Sequence, residues 1–428
     1  MPEQLALDGG PRTVPEGMVQ TWPPLTQADR DAVLAVFDNN QFHTRSAPNA
    51  AELERRWAQY VGAEHCIVCN GGTQALHIAL AAAGVQPGDE VITPAFSYWA
   101  TALPIVHQNA IPIFVDIDPR TYTIDPALIE ERITDHTKAI LPAHIHGMPA
   151  DLDPIMEIAD RRGLRVVHDA CQVHGAKYKG RMIGGFEDTN GFSLNRSKNL
   201  SGGEGGLVTM NDEQFYECAA ILGSPGGISI EDDGQERSFF GLGYNYRPHE
   251  FIAAFVLSQL DRLDENNARR VEMADFLTEG LEQIPGIAGP YTPEWAEPVY
   301  FSYVVEFRPQ ELGLDMPPDE LKAALHKALA AEGIGIGQWG REPLPAMDFF
   351  QEKVGYGKGC PWTCPFAREV EYKPEDWPEA INFTSSHAYL GGVNAANDMK
   401  LMELYLDGLR KVTDDIERVL AMAAEQAD

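Results

Sequence analysis

The stretch Asn195-Arg196-Ser197-Lys198-Asn199-Leu200-Ser201-Gly202-Gly203-Glu204-Gly205-Gly206 sets a lysine just ahead of a run of glycines. Glycine permits positive φ and close backbone approach, so the run suits an amine held in a tight pocket, or equally an exposed lysine beside a turn. A lysine becomes a nucleophile where its surroundings depress its pKa or where it forms a Schiff base with a carbonyl. A second group, Arg165-Val166-Val167-His168-Asp169, reads as a buried strand ending in an acid. The carboxyl ends of strands in open α/β sheets face the ligand crevice. A carboxylate there either caps the next turn or meets a cation, because burying it alone is costly; a protonated pyridine nitrogen is one such cation. The third is Asn70-Gly71-Gly72-Thr73-Gln74-Ala75-Leu76, a strand end, a glycine turn and a helix start. Its free N–H groups suit a phosphate, and Thr73 serves that site or an ordinary N-cap. After another strand end, Pro94-Ala95-Phe96-Ser97-Tyr98-Trp99 offers aromatics that cover a flat heterocycle or join the core. Lysine, acid, phosphate turn and stacking aromatic together describe a pyridoxal-phosphate site.

Such pieces need a scaffold that gathers strand ends. Between about 27 and 262, helical patterns alternate with short apolar runs. Strands are expected at 66–69, 90–94, 111–115, 139–142 and 165–169. Helices are expected at 29–38, 50–60, 71–83, 98–108, 127–133 and 153–162. This alternation implies a mainly parallel sheet covered on both faces, with right-handed connections. A long helix over 248–281 follows, and Pro285, Gly286, Gly289, Pro290 and Pro293 mark a change of character. Beyond it come an alternating strand at 300–307, a helix at 319–332, a Pro- and Gly-rich stretch through Trp377 and helix over 394–424. The expected division is an N-terminal segment 1–26, a large domain 27–262 and a smaller α+β domain 263–428 that begins within the linking helix.

The chain has 428 residues, with 33 Lys plus Arg against 64 Asp plus Glu and a formal net charge of −31. That charge repels nucleic-acid phosphates and anionic membrane surfaces. A hydrophobic content of 44% with 23% charged residues is globular and excludes wholesale disorder. The N-terminus has no positively charged start and no apolar run, and no window approaches the roughly 18 apolar residues of a spanning helix. A cytoplasmic protein is expected. Six cysteines do not make a disulfide scaffold. The Cys66/Cys69 and Cys360/Cys364 pairs lack partners at zinc spacing, so no metal is expected. No G-x-G-x-x-G follows the first strand, which excludes a plain Rossmann dehydrogenase.

In chain order, GGTQAL, GDEVITPAFSYWAT, FVDIDPRTYTIDP, HDACQVHGA, FSLNRSKNLSGGEGG and GYNYRPHEFIAAFVLSQL resemble the DegT/DnrJ/EryC1/StrS family of sugar and aminocyclitol aminotransferases, of the aspartate-aminotransferase fold (fold type I). The resemblance runs from roughly Leu7 to the C-terminal helix. It implies an α/β fold: a large domain with a mainly parallel, seven-stranded-type sheet flanked by helices, plus a smaller C-terminal α+β domain. It also implies that Lys198 forms the Schiff base with pyridoxal 5'-phosphate and acts as general base, with Asp169 paired to the pyridine nitrogen. Gln172 then lies by the ring and its phenolic oxygen, Tyr98 stacks on the ring, and Trp99 faces elsewhere. Gly72, Thr73, Gln74 and Ser193 fall on the phosphate-binding positions. Asn245 matches the residue that reaches the neighbouring subunit's phosphate, which implies a homodimer with shared active sites. Arg181, Arg247 and Arg341 are candidates for anion contact or for surface ion pairs. His387 falls where relatives carry a histidine near the active-site mouth, or is a buried structural residue.

The activity so implied is transfer of an amino group from L-glutamate or L-glutamine, through pyridoxamine phosphate, to a keto-sugar or a cyclitol ketone. The setting would be amino-sugar or antibiotic biosynthesis. Two stretches depart from the family's usual pattern: Asn195-Arg196-Ser197 before the lysine, and Gly-Gly-Phe-Glu-Asp-Thr-Asn-Gly at 184–191 in place of Gly-Asp-Ile-Gly. A sugar dehydratase of the same scaffold would carry His in place of Lys198 or an iron–sulfur cysteine set. A non-catalytic regulator would have lost Lys198 or Asp169. Neither signature is present.

Overall fold

The computed structural model describes residues 4–42, 48–186, 188–224, 228–232, 235–239, 242–338 and 340–425. Helix α1 (Gln27–Asp38) opens with a capping box, the Thr26 side chain accepting from Asp29 N and the Asp29 carboxylate from Thr26 N. In α2 (Pro48–Val61) the first N–H groups, at Asn49 and Ala50, donate to the buried Glu250 carboxylate. The chain then alternates: β1 (His65–Cys69), α3 (Gly72–Ala82), β2 (Glu90–Pro94), α4 (Leu103–His107), β3 (Ile111–Val115), β4 (Thr137–Ile140), α5 (Leu152–Arg162) and β5 (Arg165–Asp169). A short hairpin, β6 (Lys177–Tyr178) and β7 (Arg181–Met182), leads to β8 (Thr189–Ser193), β9 (Gly206–Met210) and α6 (Glu213–Gly223). The hairpin β10 (Ile228–Asp232) and β11 (Gln235–Phe239) precedes α7 (Glu250–Leu260) and α8 (Leu263–Leu281).

Seven of these strands form one sheet in the order β1-β9-β8-β5-β4-β2-β3. Only β9 runs against its neighbours, and the pairs from β8 through β3 are parallel. A sheet covered on both faces demands apolar residues at successive positions, and β2, β3, β8 and β9 are buried throughout. Adjacent residues serve opposite cores, as the period of two requires. Val166 packs with Trp57, Ile155 and Phe192, and Val167 with Ala75, Ile78 and Val208.

A second, antiparallel sheet has the order β12-β14-β16-β15, from β12 (Ile287–Ala288), β14 (Tyr303–Phe307), β15 (Ile336–Gly337) and β16 (His387–Leu390). Strand β13 (Ala296–Glu297) pairs instead with β6. Helices α9 (Pro318–Glu332), α12 (Met399–Asp414) and α13 (Ile416–Glu425) complete this core, and α10 (Asp348–Gln351) and α11 (Pro378–Ser386) lie on the connecting stretch.

Packing redraws the division expected at 26 and 262. Leu344, Phe350, Trp362, Tyr372 and Trp377 join the large-domain core, although they lie within 263–428. Leu344 N donates to Ala95 O at 2.7 Å and the Tyr372 hydroxyl to Pro112 O at 2.9 Å. Conversely, Leu5 and Val14 of the N-terminal segment pack in the small-domain core. Three local expectations also change. The 127–133 helix is two one-turn 3-10 pieces behind Pro126. The 248–281 helix breaks at Asp261–Arg262, where Arg262 reaches back to Asp29 at 2.9 Å. Helix in the last stretch starts only at Met399, where the Asp398 carboxylate caps Leu401 N.

Candidate active site

A cleft of about 1310 Å³ opens at the carboxyl ends of β1, β5 and β8. Its large-domain wall holds Asn70 to Gln74, Tyr98, Thr101, Asp169, Gln172, Ser193 and the 195–198 loop. Its other wall comes from 301–303 and 389–394 of the small domain, with Arg270 of α8 and Thr21 and Trp22 of the N-terminal segment. Strand ends therefore bring together residues far apart in the chain, as the topology of an open α/β sheet requires.

Lys198 sits at the floor, its Nζ 4.2 Å from the centroid of the Phe301 ring. Burial pulls its amine below the usual value, against the opposing pull of Cys171 and Asp169. The loop is held by Lys198 N on Asn195 O, by Arg196 N on Gly203 O and by the Trp22 indole N–H, which donates to Lys198 O at 3.0 Å. Gly203 and Gly205 take φ of 84° and 127°, conformations that favour glycine.

Asp169 is buried, and no salt bridge among the described residues reaches it. Its Oδ2 accepts from Thr101 Oγ1 at 2.6 Å and its Oδ1 from Cys171 N at 3.1 Å. Gln172 is oriented by His146 N, which donates to its Oε1 at 2.8 Å, leaving the amide nitrogen for the cleft. Burial pulls the His146 imidazole down to about 3. At the start of α3, Gly71 offers no side-chain cap, so the first N–H groups of that helix have no intrahelical or capping acceptor. A Cβ on Gly72 would stand 2.6 Å from Ser193 Cβ; only glycine lets the helix end and Ser193 approach this closely.

Tyr98 lines the cleft half-exposed, and Trp99 is not part of the lining. Asn245 is exposed and outside this cleft, on a segment whose Tyr246 carbonyl accepts from Asn70 N at 2.8 Å. None of the four substrate candidates lines the cleft. Arg181 lies on β7, bonded to Gly185 O and 4.3 Å over the Phe186 ring. Arg247 is half-buried and Arg341 exposed. His387 is buried behind Tyr389, hydrogen-bonded to Ser386 Oγ at 2.8 Å and the Tyr122 hydroxyl at 3.0 Å. Burial pulls its imidazole down to about 3. Of its two readings, near the active-site mouth or buried and structural, the burial and the stacking on Phe383 favour the second. Thr101, His146, Phe301, Trp22 and Arg270 went unread. Thr101 alone had a signal, in its place within the motif after β2.

The aminotransferase family named DegT/DnrJ/EryC1/StrS matches over residues 23–372. The chain belongs to this family. GDP-perosamine synthase of Caulobacter vibrioides is 37% identical over 285 residues, 66% of this chain and 75% of that one. L-glutamine:2-deoxy-scyllo-inosose aminotransferase of Streptoalloteichus tenebrarius is 34% identical over 343 residues, 76% of this chain and 79% of that one. Among solved structures, S. venezuelae DesV in complex with a ketimine intermediate superposes with a TM-score of 0.76 at 30% identity, over 90% of this chain and 94% of that one. The protein is a fold type I aminotransferase that depends on pyridoxal phosphate.

The residues present fit that cofactor. An uncapped helix end beside Ser193 suits a phosphate. A buried carboxylate that no salt bridge among the described residues reaches suits a protonated ring nitrogen. An amine depressed by burial suits carbonyl chemistry.

Proposed function

We propose that this aminotransferase moves an amino group from L-glutamate or L-glutamine to a keto-sugar or cyclitol ketone, as a step in amino-sugar or antibiotic biosynthesis. The observation that carries the reading is one cleft holding a depressed lysine, a buried acid without a salt bridge and a helix end without a side-chain cap among the described residues. The glutamine and inosose in the name of one relative, and the perosamine in that of another, support the substrate class.

Bound here, pyridoxal phosphate supplies the electron sink for charge developing at the donor's α-carbon. The Lys198 amine would anchor the group and, once freed, would take the proton from that carbon and deliver it to the cofactor carbon that had carried the carbonyl. Positioned proton transfer contributes roughly 10²–10⁴-fold. Asp169 would keep the proton on the ring nitrogen, and Thr101 and the Cys171 N–H keep Asp169 in place. The N–H groups of Gly72, Thr73 and Gln74 and the Ser193 hydroxyl would hold the phosphate. Tyr98 would cover the ring, and the Gln172 amide would face its phenolic oxygen. The same reading makes the protein a cytoplasmic homodimer in which the exposed Asn245 serves the other subunit's phosphate. No helix among the described residues is long and apolar enough to cross a membrane. A single-chain mass in sedimentation equilibrium would refute the pairing.

The test is the absorbance spectrum of the purified protein before and after L-glutamine or L-glutamate. The expected result is a visible band that gives way to the shorter-wavelength pyridoxamine form and returns with a keto-sugar or cyclitol ketone. The Lys198→Ala protein should not cycle. Bound cofactor that responds to neither donor overturns the proposal.

A further inference from the structure

Asn245 is exposed, yet the residues on either side of it are tied down. Tyr244 N donates to Leu222 O at 2.7 Å and Tyr246 N to Gly223 O at 3.1 Å, so the segment lies along the end of α6. A Cβ on Gly243 would stand 2.4 Å from Ile221 O, and only glycine permits that approach. The rings of Tyr244 and Tyr246 stack, with centroids 5.1 Å apart and planes at 7°. Stacking of residues two apart is the geometry of an extended chain, whose intervening side chain points the other way. The Tyr246 carbonyl accepts from Asn70 N at 2.8 Å, at the turn that would hold this subunit's own phosphate.

The tyrosine stack rests on His77 of α3, a buried histidine with ring centroids 5.4 Å from Tyr244 and 5.9 Å from Tyr246. Gln108 decides its tautomer. The Gln108 amide nitrogen donates to Val85 O at 3.0 Å, so its Oε1 is the atom facing His77 Nε2 at 2.8 Å and can only accept. His77 Nε2 therefore carries the hydrogen, and Nδ1 of the neutral ring is an acceptor. The Tyr246 hydroxyl donates to that Nδ1 at 3.0 Å. Burial pulls the imidazole down to about 4, which keeps this chain of donors and acceptors intact at neutral pH.

We infer that Tyr246 and His77 are the positioning pair that aims Asn245 at the cofactor phosphate of the other subunit. The inference rests on the shared-site reading of Asn245 and adds what holds that residue in place. Helix α3 then serves both sites of the dimer. Its first turn would hold this subunit's phosphate, and its second turn, through His77, sets the arm that serves the other.

The test titrates the full-length protein, stripped of cofactor, with pyridoxal phosphate and with pyridoxal, which lacks the phosphate, and reads binding by visible absorbance. A hydrogen bond to a charged group predicts a roughly 10–150-fold loss of pyridoxal phosphate affinity in Asn245→Ala. Tyr246→Phe and His77→Phe, which each delete one neutral hydrogen bond, should lose about 2–13-fold. Pyridoxal affinity should stay at the wild-type value in all three, which a general loss of packing would not allow. The double variant Asn245→Ala/Tyr246→Phe should bind pyridoxal phosphate as Asn245→Ala does, because one residue acts through the other. Wild-type affinity in Tyr246→Phe beside a loss in Asn245→Ala overturns the inference and leaves the shared-site reading standing. Losses that multiply in the double variant overturn it too, since Tyr246 would then act through Asn70 and its own turn. Wild-type affinity in Asn245→Ala overturns the shared-site reading, and the inference with it. Where His77→Phe does not fold, Tyr246→Phe, which deletes a single hydroxyl, decides.

Discussion

Thr101→Val is the sharpest perturbation of Asp169, the acid proposed to serve the cofactor ring. The Thr101 hydroxyl donates to Asp169 Oδ2 at 2.6 Å, so the Ser97 hydroxyl, 2.7 Å away, must donate to Thr101. The resulting chain Ser97→Thr101→Asp169 is buried throughout, where each bond polarises the next. Valine keeps the shape of threonine and deletes the hydroxyl, leaving the Cys171 N–H at 3.1 Å to hold the carboxylate. A hydrogen bond to a charged group contributes roughly 1.5–3 kcal/mol, or about 10–150-fold in rate. The half-reaction with L-glutamine, followed by stopped-flow absorbance on cofactor-saturated protein, should slow by that factor. Thr101→Ser restores the donor and should recover most of the rate, which a purely structural role would not predict. A valine variant within about twofold of wild type, well short of the charged-bond contribution, refutes the reasoning if Asp169→Ala is inactive; the Cys171 N–H would then hold the carboxylate unaided.

Gly72→Ala puts a Cβ 2.6 Å from Ser193 Cβ; overpacking of this kind costs about 1–3 kcal/mol, so melting temperature and cofactor affinity should both fall. Asp29 ties α1 to α7 through Ser258, Gln259 and Arg262. Burial alone would raise its carboxyl, but Arg262, Thr26 and Ser258 outweigh it and hold it at about 2, below the ordinary 3.8. Its contribution, about 2 kcal/mol, is present above pH 3.8 and lost as pH falls through 2; urea unfolding across that window should show a steeper loss in wild type than in Asp29→Asn. Glu332→Ala leaves the N–H groups of Ala6 and Thr13 and the Thr13 hydroxyl without this acceptor, and leaves Lys411 with Pro11 O but no counter-charge from Glu332. Breaking a buried pair costs about 3–5 kcal/mol, and proteolysis of the freed N-terminal segment should report it.

The segments that line the cleft were legible because each is local. A strand end, a turn and a helix start occupy consecutive residues around Gly72, and the same holds for Asp169 after its apolar run and for Lys198 before its glycines. Local patterns also drew most of the strands and helices of the large domain, since periodicity reports which face a residue buries. Arg270, Phe301 and Trp22 gave no such signal. An arginine on a helix looks the same whether it meets solvent or faces a cleft, and only the meeting of α8 with 300–301 and 393 makes Arg270 a buried charge.

His387 and the 344–383 stretch mark the same divide. Position in the chain assigned that stretch to the small domain, but Phe350 and Tyr372 bury their rings beside Phe114 of the large one, with Trp362 against Phe350. By itself the sequence determined the fold class, the family and the cofactor, and it pointed to residues that the fold gathers in one cleft, because these depend on residue type and short-range spacing. Tertiary structure alone decided which hydroxyl supports Asp169, which arginine lines the cleft and which histidine turns inward. Those choices follow from burial between segments distant in sequence, where the cost of an unpaired polar group selects the partner.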